Sequence, residues 1–95
     1  MDIKAVKKKL GIEEPGRYEN DTYIIELKDS NGWARYISIL DEKAVPDGYP
    51  EYSVDSSDTD FWTEYYRTEI DGTTYLLILE ADLANNRYQL RISCI

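Results

Sequence analysis

FWTEYYRTEIDGTTYLLILEADLANNRYQLRISCI, residues 61–95, decides the fold. Two turn dipeptides divide it. Asp71-Gly72 and Asn85-Asn86 both tolerate the positive φ that tight type I′ hairpin turns require. Between and around them lie three segments rich in β-branched and aromatic residues, at about 61–69, 73–81 and 87–95, which read as strands. Taking each dipeptide as a two-residue turn sets a register. The first hairpin then pairs Tyr66 with Leu77, Trp62 with Ala81 and Thr68 with Tyr75. The second pairs Ala81 with Leu90, Leu79 with Ile92 and Leu77 with Cys94. One face of this meander carries Trp62, Tyr66, Tyr75, Leu77, Leu79, Leu90, Ile92 and Cys94. The other carries Thr63, Tyr65, Arg67, Leu76, Ile78, Glu80, Gln89 and Arg91, with Glu80 opposite Arg91. A slip of one residue would scatter both sets, so turn chemistry and side-chain pattern support each other.

Immediately upstream, SVDSSDTDFWTEYY (53–66) mixes acids and rings. Up to Asp60 it reads as a solvated acidic loop, and from Phe61 as strand. Pro46, Gly48 and Pro50 mark residues 41–60 as loop-like, with EYSV (51–54) a candidate short edge strand. Further back, TYIIEL (22–27) reads as a strand. Residues 30–40, next along the chain, have two readings. Asn31-Gly32 is a hairpin signal that would pair Leu27 with Tyr36 and Tyr23 with Leu40. Trp33, Tyr36, Ile37 and Leu40 also fit the i, i+3, i+4, i+7 stripe of a helix capped by Ser30. The β-branched isoleucines tilt the expectation towards the hairpin. At the N-terminus, Asp2 caps a short helix to Leu10, and Gly11 stops it. Ile3, Val6 and Leu10 form its apolar stripe, suited to covering the first sheet face, and Lys7, Lys8 and Lys9 complement its C-terminal dipole.

The expected architecture is therefore α+β: a mainly antiparallel sheet of four to five strands, ending in a three-stranded meander, with a short N-terminal helix packed on one face. Ninety-five residues make a single domain over 1–95. A chain of this size buries roughly 60–65% of its unfolded surface. One core is expected and a deep pocket is not.

Charge narrows the function. The formal net charge is −8, and it concentrates in residues 41–60, where seven acids face Lys43 alone. Such a chain repels phosphate backbones and anionic lipid, so neither direct nucleic-acid binding nor membrane association is expected. A protein partner is. Cys94 is the sole cysteine, which excludes an intrachain disulfide and fits a reducing compartment. MDIKAVKKKLG lacks the apolar run of a signal peptide, and YLLIL (75–79) is too short to span a bilayer. These features together predict a cytoplasmic protein.

Motifs for catalysis are sparse. There is no histidine, which removes Ser-His-Asp and Cys-His machinery and the commonest metal ligand. Asp55, Asp58, Asp60 and Glu64 suggest calcium, but their spacing departs from the helix-loop-helix calcium loop and no glycine lies between them. No metal and no cofactor is expected. Glu64 points into the apolar face beside Leu79, where burial would raise its pKa. This makes it the one candidate for carboxylate catalysis, with Trp33 or Trp62 as a sugar platform. Cys94, on the core face, reads as a small buried hydrophobe.

Two surfaces could bind partners. Tyr65, Arg67, Leu76, Ile78 and Arg91 on the second sheet face combine aromatic, aliphatic and arginine groups, the composition of an interface core, unless residues 33–40 or 41–60 cover them. Self-association as a homodimer would use the same patch. Asp55, Asp58 and Asp60, with Asp41, Glu42, Asp47, Glu51 and Glu64, could instead mimic a row of phosphates and inhibit a nucleic-acid-binding protein.

VKKKLGIEEPGRY (6–18) and ADLANNRYQLRI (81–92) resemble segments of small, functionally unassigned proteins carried by phages and mobile elements of Gram-positive bacteria. The resemblance covers about a quarter of the chain. It implies an accessory or host-interaction role rather than housekeeping catalysis. The sequence thus points to a non-enzymatic protein-binding accessory module, with phosphate mimicry and a small carboxylate enzyme as alternatives.

Overall fold

The computed structural model describes residues 1–46 and 61–95. Among these residues, two helices and six strands are arranged in the order α1 (Ile3–Leu10), β1 (Arg17–Glu19), β2 (Thr22–Leu27), α2 (Ser30–Lys43), β3 (Val45–Pro46), β4 (Phe61–Ile70), β5 (Thr73–Asp82) and β6 (Arg87–Cys94). All six strands form one sheet, ordered β1-β2-β6-β5-β4-β3, with every neighbouring pair antiparallel. The α+β class holds. Among the described residues the strand number is six rather than four to five, because β1 and β3 add short edges.

The first hairpin of the meander has the register read from its turn: Trp62 pairs with Ala81, Tyr66 with Leu77 and Thr68 with Tyr75. Asp71 and Gly72 both adopt positive φ, at 49° and 82°. The second hairpin differs. Ala81 pairs with Tyr88, Leu79 with Leu90, Leu77 with Ile92 and Tyr75 with Cys94. The turn is four residues long, Leu83 to Asn86, not the dipeptide Asn85-Asn86. Asp82 explains the change: its carboxylate accepts from the Asn85 backbone N–H at 3.3 Å and from Asn85 Nδ2 at 2.8 Å. The Asn86 N–H donates to the Leu83 carbonyl, and Asn86 alone takes positive φ there. The register therefore moves by two residues, which leaves every side chain on its expected face. Glu80 now lies opposite Gln89, and its ion pair with Arg91, at 3.4 Å, runs diagonally.

Residues 33–40 are helix, which overturns the hairpin expectation. The Asp29 carboxylate, not Ser30, caps α2 by accepting from the Gly32 N–H at 3.0 Å. The deciding competition is for strand edges. β2 is paired by β1 on one side and by β6 on the other, with Ile25 opposite Leu90. No edge of β2 is left for residues 33–40, while their helical stripe has a sheet to cover.

Both helices pack on the same sheet face. α1 contributes Val6 and Leu10, and α2 contributes Tyr36 and Leu40. They enclose Ile25, Leu77, Leu79, Leu90 and Ile92, all fully buried. α1 is bounded as expected, by Asp2 accepting from the Ala5 N–H and by Gly11 in the left-handed region. α2 starts after β2 and ends before β3 at the far edge, so it crosses the sheet and places its first turns over β6 and the end of β5. β1 enters through a close approach. A Cβ on Gly16 would stand 2.6 Å from the Ile24 carbonyl oxygen and 2.5 Å from the Tyr23 ring.

Cys94 corrects another expectation. It belongs to the core face by register but is exposed, because the strand end runs past the helices. The candidate strand at 51–54 lies outside the described residues.

Candidate functional site

One concave feature lies where α2 begins to cross the sheet. Trp33 and Ile37, one turn apart on α2, face Trp62 and Glu64 from β4, Ala81 from β5, Leu83 from the second turn and Tyr88 from β6. With Ser30 they line a cleft of about 490 Å³. Strand alternation explains the set: residues 62, 64, 81 and 88 share the inner face, and the cross-strand row Trp62–Ala81–Tyr88 forms the floor. Ala81 is the small residue in that row, which leaves room between the two rings.

The cleft is open and apolar. Trp62 is 54% exposed and Leu83 is 45% exposed. Free energy of about 25 cal/mol per Å² of apolar area favours covering such side chains. Among the described residues, no lysine or arginine lines the cleft. Glu64 is the single carboxylate among them, and it makes no hydrogen bond or ion pair with a described residue. Glu64 does act on its neighbour. The Tyr66 hydroxyl has a raised pKa, chiefly through burial, then through its hydrogen bond to Asp41 and the negative charges of Asp41 and Glu64. The Trp33 indole N–H is buried without an acceptor among the described residues, a cost of about 1–3 kcal/mol to the free protein.

The sheet face read from sequence as a contact surface is assembled as expected in one respect. Tyr65, Arg67, Leu76, Ile78 and Arg91 all lie on the face opposite the helices, along the rows Tyr65–Ile78–Arg91–Ile24–Arg17 and Val45–Arg67–Leu76–Ser93. Neither helix covers them. Ile24, which sequence reasoning left off this face, is 5% exposed between Arg91 and Arg17. The charges here are mostly paired. Arg91 meets Glu80, Arg17 meets Glu19 and Glu26, and Arg87 meets Glu26 at 3.3 Å. Glu80 also accepts from Gln89. A face whose ions satisfy one another is well hydrated and less demanding of a partner than the cleft.

Asp55, Asp58 and Asp60, with Asp47 and Glu51, lie outside the described residues, so the row of phosphate-like acids has no geometry to report beyond Asp41, Glu42 and Glu64. Among the described residues, no three His, Cys, Asp or Glu side chains converge as a metal site would require. No described helix is long and apolar enough to cross a membrane.

Sequence reasoning placed Trp62 and Glu64 on the inner face but missed the cleft they build with Trp33, Ile37, Leu83 and Tyr88. One signal was available. Leu83 is an apolar side chain within a turn otherwise made of Ala and Asn, a position that stays in water unless something packs on it.

Fold and cleft define a class: a six-stranded antiparallel α+β protein with its helices on one face and an open aromatic cleft at one end of that helical layer. No family model, curated protein or solved structure matches the chain.

Proposed function

We propose that this chain is a non-enzymatic protein-binding module that seats apolar side chains of a partner in the cleft between Trp33 and Trp62. One observation carries the reading: Trp62 and Leu83 stand largely exposed around an apolar recess that the rest of the inner face leaves open. Tryptophan in a partly preformed recess is the usual centre of a binding hot spot. Glu64, without an ion pair among the described residues, adds a preference for a partner with a basic residue beside its apolar anchor. An accessory role of the kind implied by the phage-protein resemblance fits a binder of this size.

A second reading is favoured by the outer sheet face, which neither α1 nor α2 covers and where, among the described residues, Leu76 and Ile78 lie between Arg67 and Arg91. One experiment separates the two. Partners captured from the native host are identified by mass spectrometry, purified and titrated against the wild type, Trp62→Ala and Ile78→Asp. The cleft reading expects Trp62→Ala to weaken affinity about tenfold or more and Ile78→Asp to leave it intact. The reverse pattern assigns contact to the outer face. Equal affinity for all three proteins rejects both.

A further inference from the structure

At the other end of the sheet the charge reverses. Lys9 of α1, Lys43 of α2 and Arg67 of β4 line a recess of about 480 Å³, completed by Ala44, Val45, Thr68, Glu69 and Thr74. Three cations face one carboxylate there, in a chain whose formal net charge is −8. Among the described residues, Lys43 and Arg67 make no ion pair, and Lys9 is engaged only through Nζ donating to the Glu69 carbonyl oxygen at 3.0 Å. Elsewhere among the described residues, four arginines pair with acids: Arg17, Arg35, Arg87 and Arg91. Lys4, Lys7, Lys8 and Lys28 also make no ion pair among the described residues, but they do not line this recess.

One uncharged group points the same way. It is a backbone donor, found from the strand geometry. In an antiparallel strand, the N–H and C=O of one residue point to the same side. The Glu69 carbonyl accepts from Lys9, outside the ladder, and the carbonyl of its cross-strand partner Thr74 accepts from Ile95 on the far side. Glu69 and Thr74 therefore form a non-hydrogen-bonded pair. The Glu69 N–H points outward at the edge of β4, beyond the pairing with β3, whose two residues meet only Arg67 and Tyr66.

We propose that this recess binds a small organic phosphate monoester. A monoester carries a charge of about −1.5 to −2 near neutral pH, which matches three cations less one carboxylate. Lys43 and Arg67 contact its oxygens, with Arg67 offering the planar fork that suits phosphate. The outward Glu69 N–H supplies a neutral donor. The recess is larger than a bare phosphate, and Ala44 and Val45 give the carrier an apolar wall. This site is independent of the Trp62 cleft, and either can fail without the other.

The test uses the whole chain and three probes: glycerol phosphate, inorganic phosphate and succinate, a dicarboxylate dianion. Calorimetry and amide chemical shifts read the titrations. The expected result is saturable glycerol phosphate binding that shifts the Thr68, Glu69 and Thr74 amides, with weaker inorganic phosphate and weaker succinate. Arg67→Gln and Lys43→Gln each reduce affinity by about tenfold to a hundredfold, and Lys4→Gln, a matched charge loss on the same helix as Lys9, does not. Absence of saturation, succinate binding as tightly as glycerol phosphate, or equal losses from Lys4→Gln and Arg67→Gln each overturns the assignment.

Discussion

The Tyr66 hydroxyl donates to Asp41 Oδ1 across 2.7 Å, tying the middle of β4 to the last turns of α2. Tyr66 is almost fully buried while Asp41 is exposed. The ring thus fills the core and its hydroxyl reaches the rim, where it meets the Asp41 carboxylate. Hydrogen bonds of this kind, with one ionised partner, are stronger than neutral ones. This one links the last turns of α2 to β4.

Tyr66→Phe removes that bond and keeps the ring. Urea denaturation should show a loss of about 1.5–3 kcal/mol, with the slope of the transition unchanged. Asp41→Asn keeps an acceptor and should cost less. Equal stability of Tyr66→Phe and wild type would mean that the hydroxyl is as well satisfied by water.

Stability should fall at alkaline pH. The hydroxyls of Tyr36 and Tyr66 both have raised pKa values, burial being the main cause, with a further contribution from the acids beside them, Glu14 for Tyr36 and Asp41 for Tyr66. A group whose folded pKa lies above its unfolded value near 10 gives stability that is whole below about pH 10 and lost as pH rises through the folded value. Tyrosinate absorbance should show the Tyr36 and Tyr66 hydroxyls resisting ionisation until the chain unfolds. Tyr36→Phe and Tyr66→Phe should each remove one.

The acid limb runs the other way. Burial opposes ionisation of Glu14, but the Tyr36 hydroxyl, a backbone N–H and the Arg35 guanidinium outweigh it and hold the carboxyl below its ordinary value near 4.5. Its contribution is present above that value and lost as pH falls through the folded one. Glu14→Gln should flatten the acid side of a melting-temperature profile without moving the alkaline side.

Gly16→Ala should be among the most damaging single-methyl changes. The added Cβ meets a backbone oxygen at 2.6 Å, which cannot rotate away, and the Tyr23 ring at 2.5 Å. Overpacking of this sort costs about 1–3 kcal/mol. Thermal unfolding measures it, and a nearly neutral result would show that β1 moves aside.

Trp62→Ala and Leu79→Ala lie on one sheet face and should behave differently. Leu79 is fully buried, so its truncation should cost about 2–5 kcal/mol. Trp62 is largely exposed, and its loss should change stability by less than about 1 kcal/mol. Chemical denaturation of the pair checks whether the cleft is a surface held ready or part of the core.

Much of this molecule is legible locally. The N-terminal helix can be bounded because Asp2 and Gly11 act within one turn of their own backbone. The Asp71-Gly72 hairpin can be registered because two residues with positive φ leave one way to pair the flanking strands. The second hairpin reads two residues out, since Asp82 reaches forward to Asn85 and lengthens the turn, yet the alternation of faces survives. Sorting of faces has period two, and a shift by two cannot disturb it.

Contacts distant in sequence decided the rest. Residues 33–40 carry both a hairpin signal and a helical stripe, and no local rule ranks them. The choice fell to β6, which returns to pair with β2 and closes the edge that a hairpin would have needed. The same return puts Tyr88 beside Ala81 and under Trp33, and so builds the cleft. Likewise Lys9, Lys43 and Arg67 are far apart along the chain and line one recess only because α1, α2 and β4 end at one corner. The chain by itself determined which side chains share a face, because that is dictated by backbone geometry over a few residues. Which faces meet, and hence where binding sites form, was decided by competition among edges and surfaces that exists only once the whole sheet is assembled.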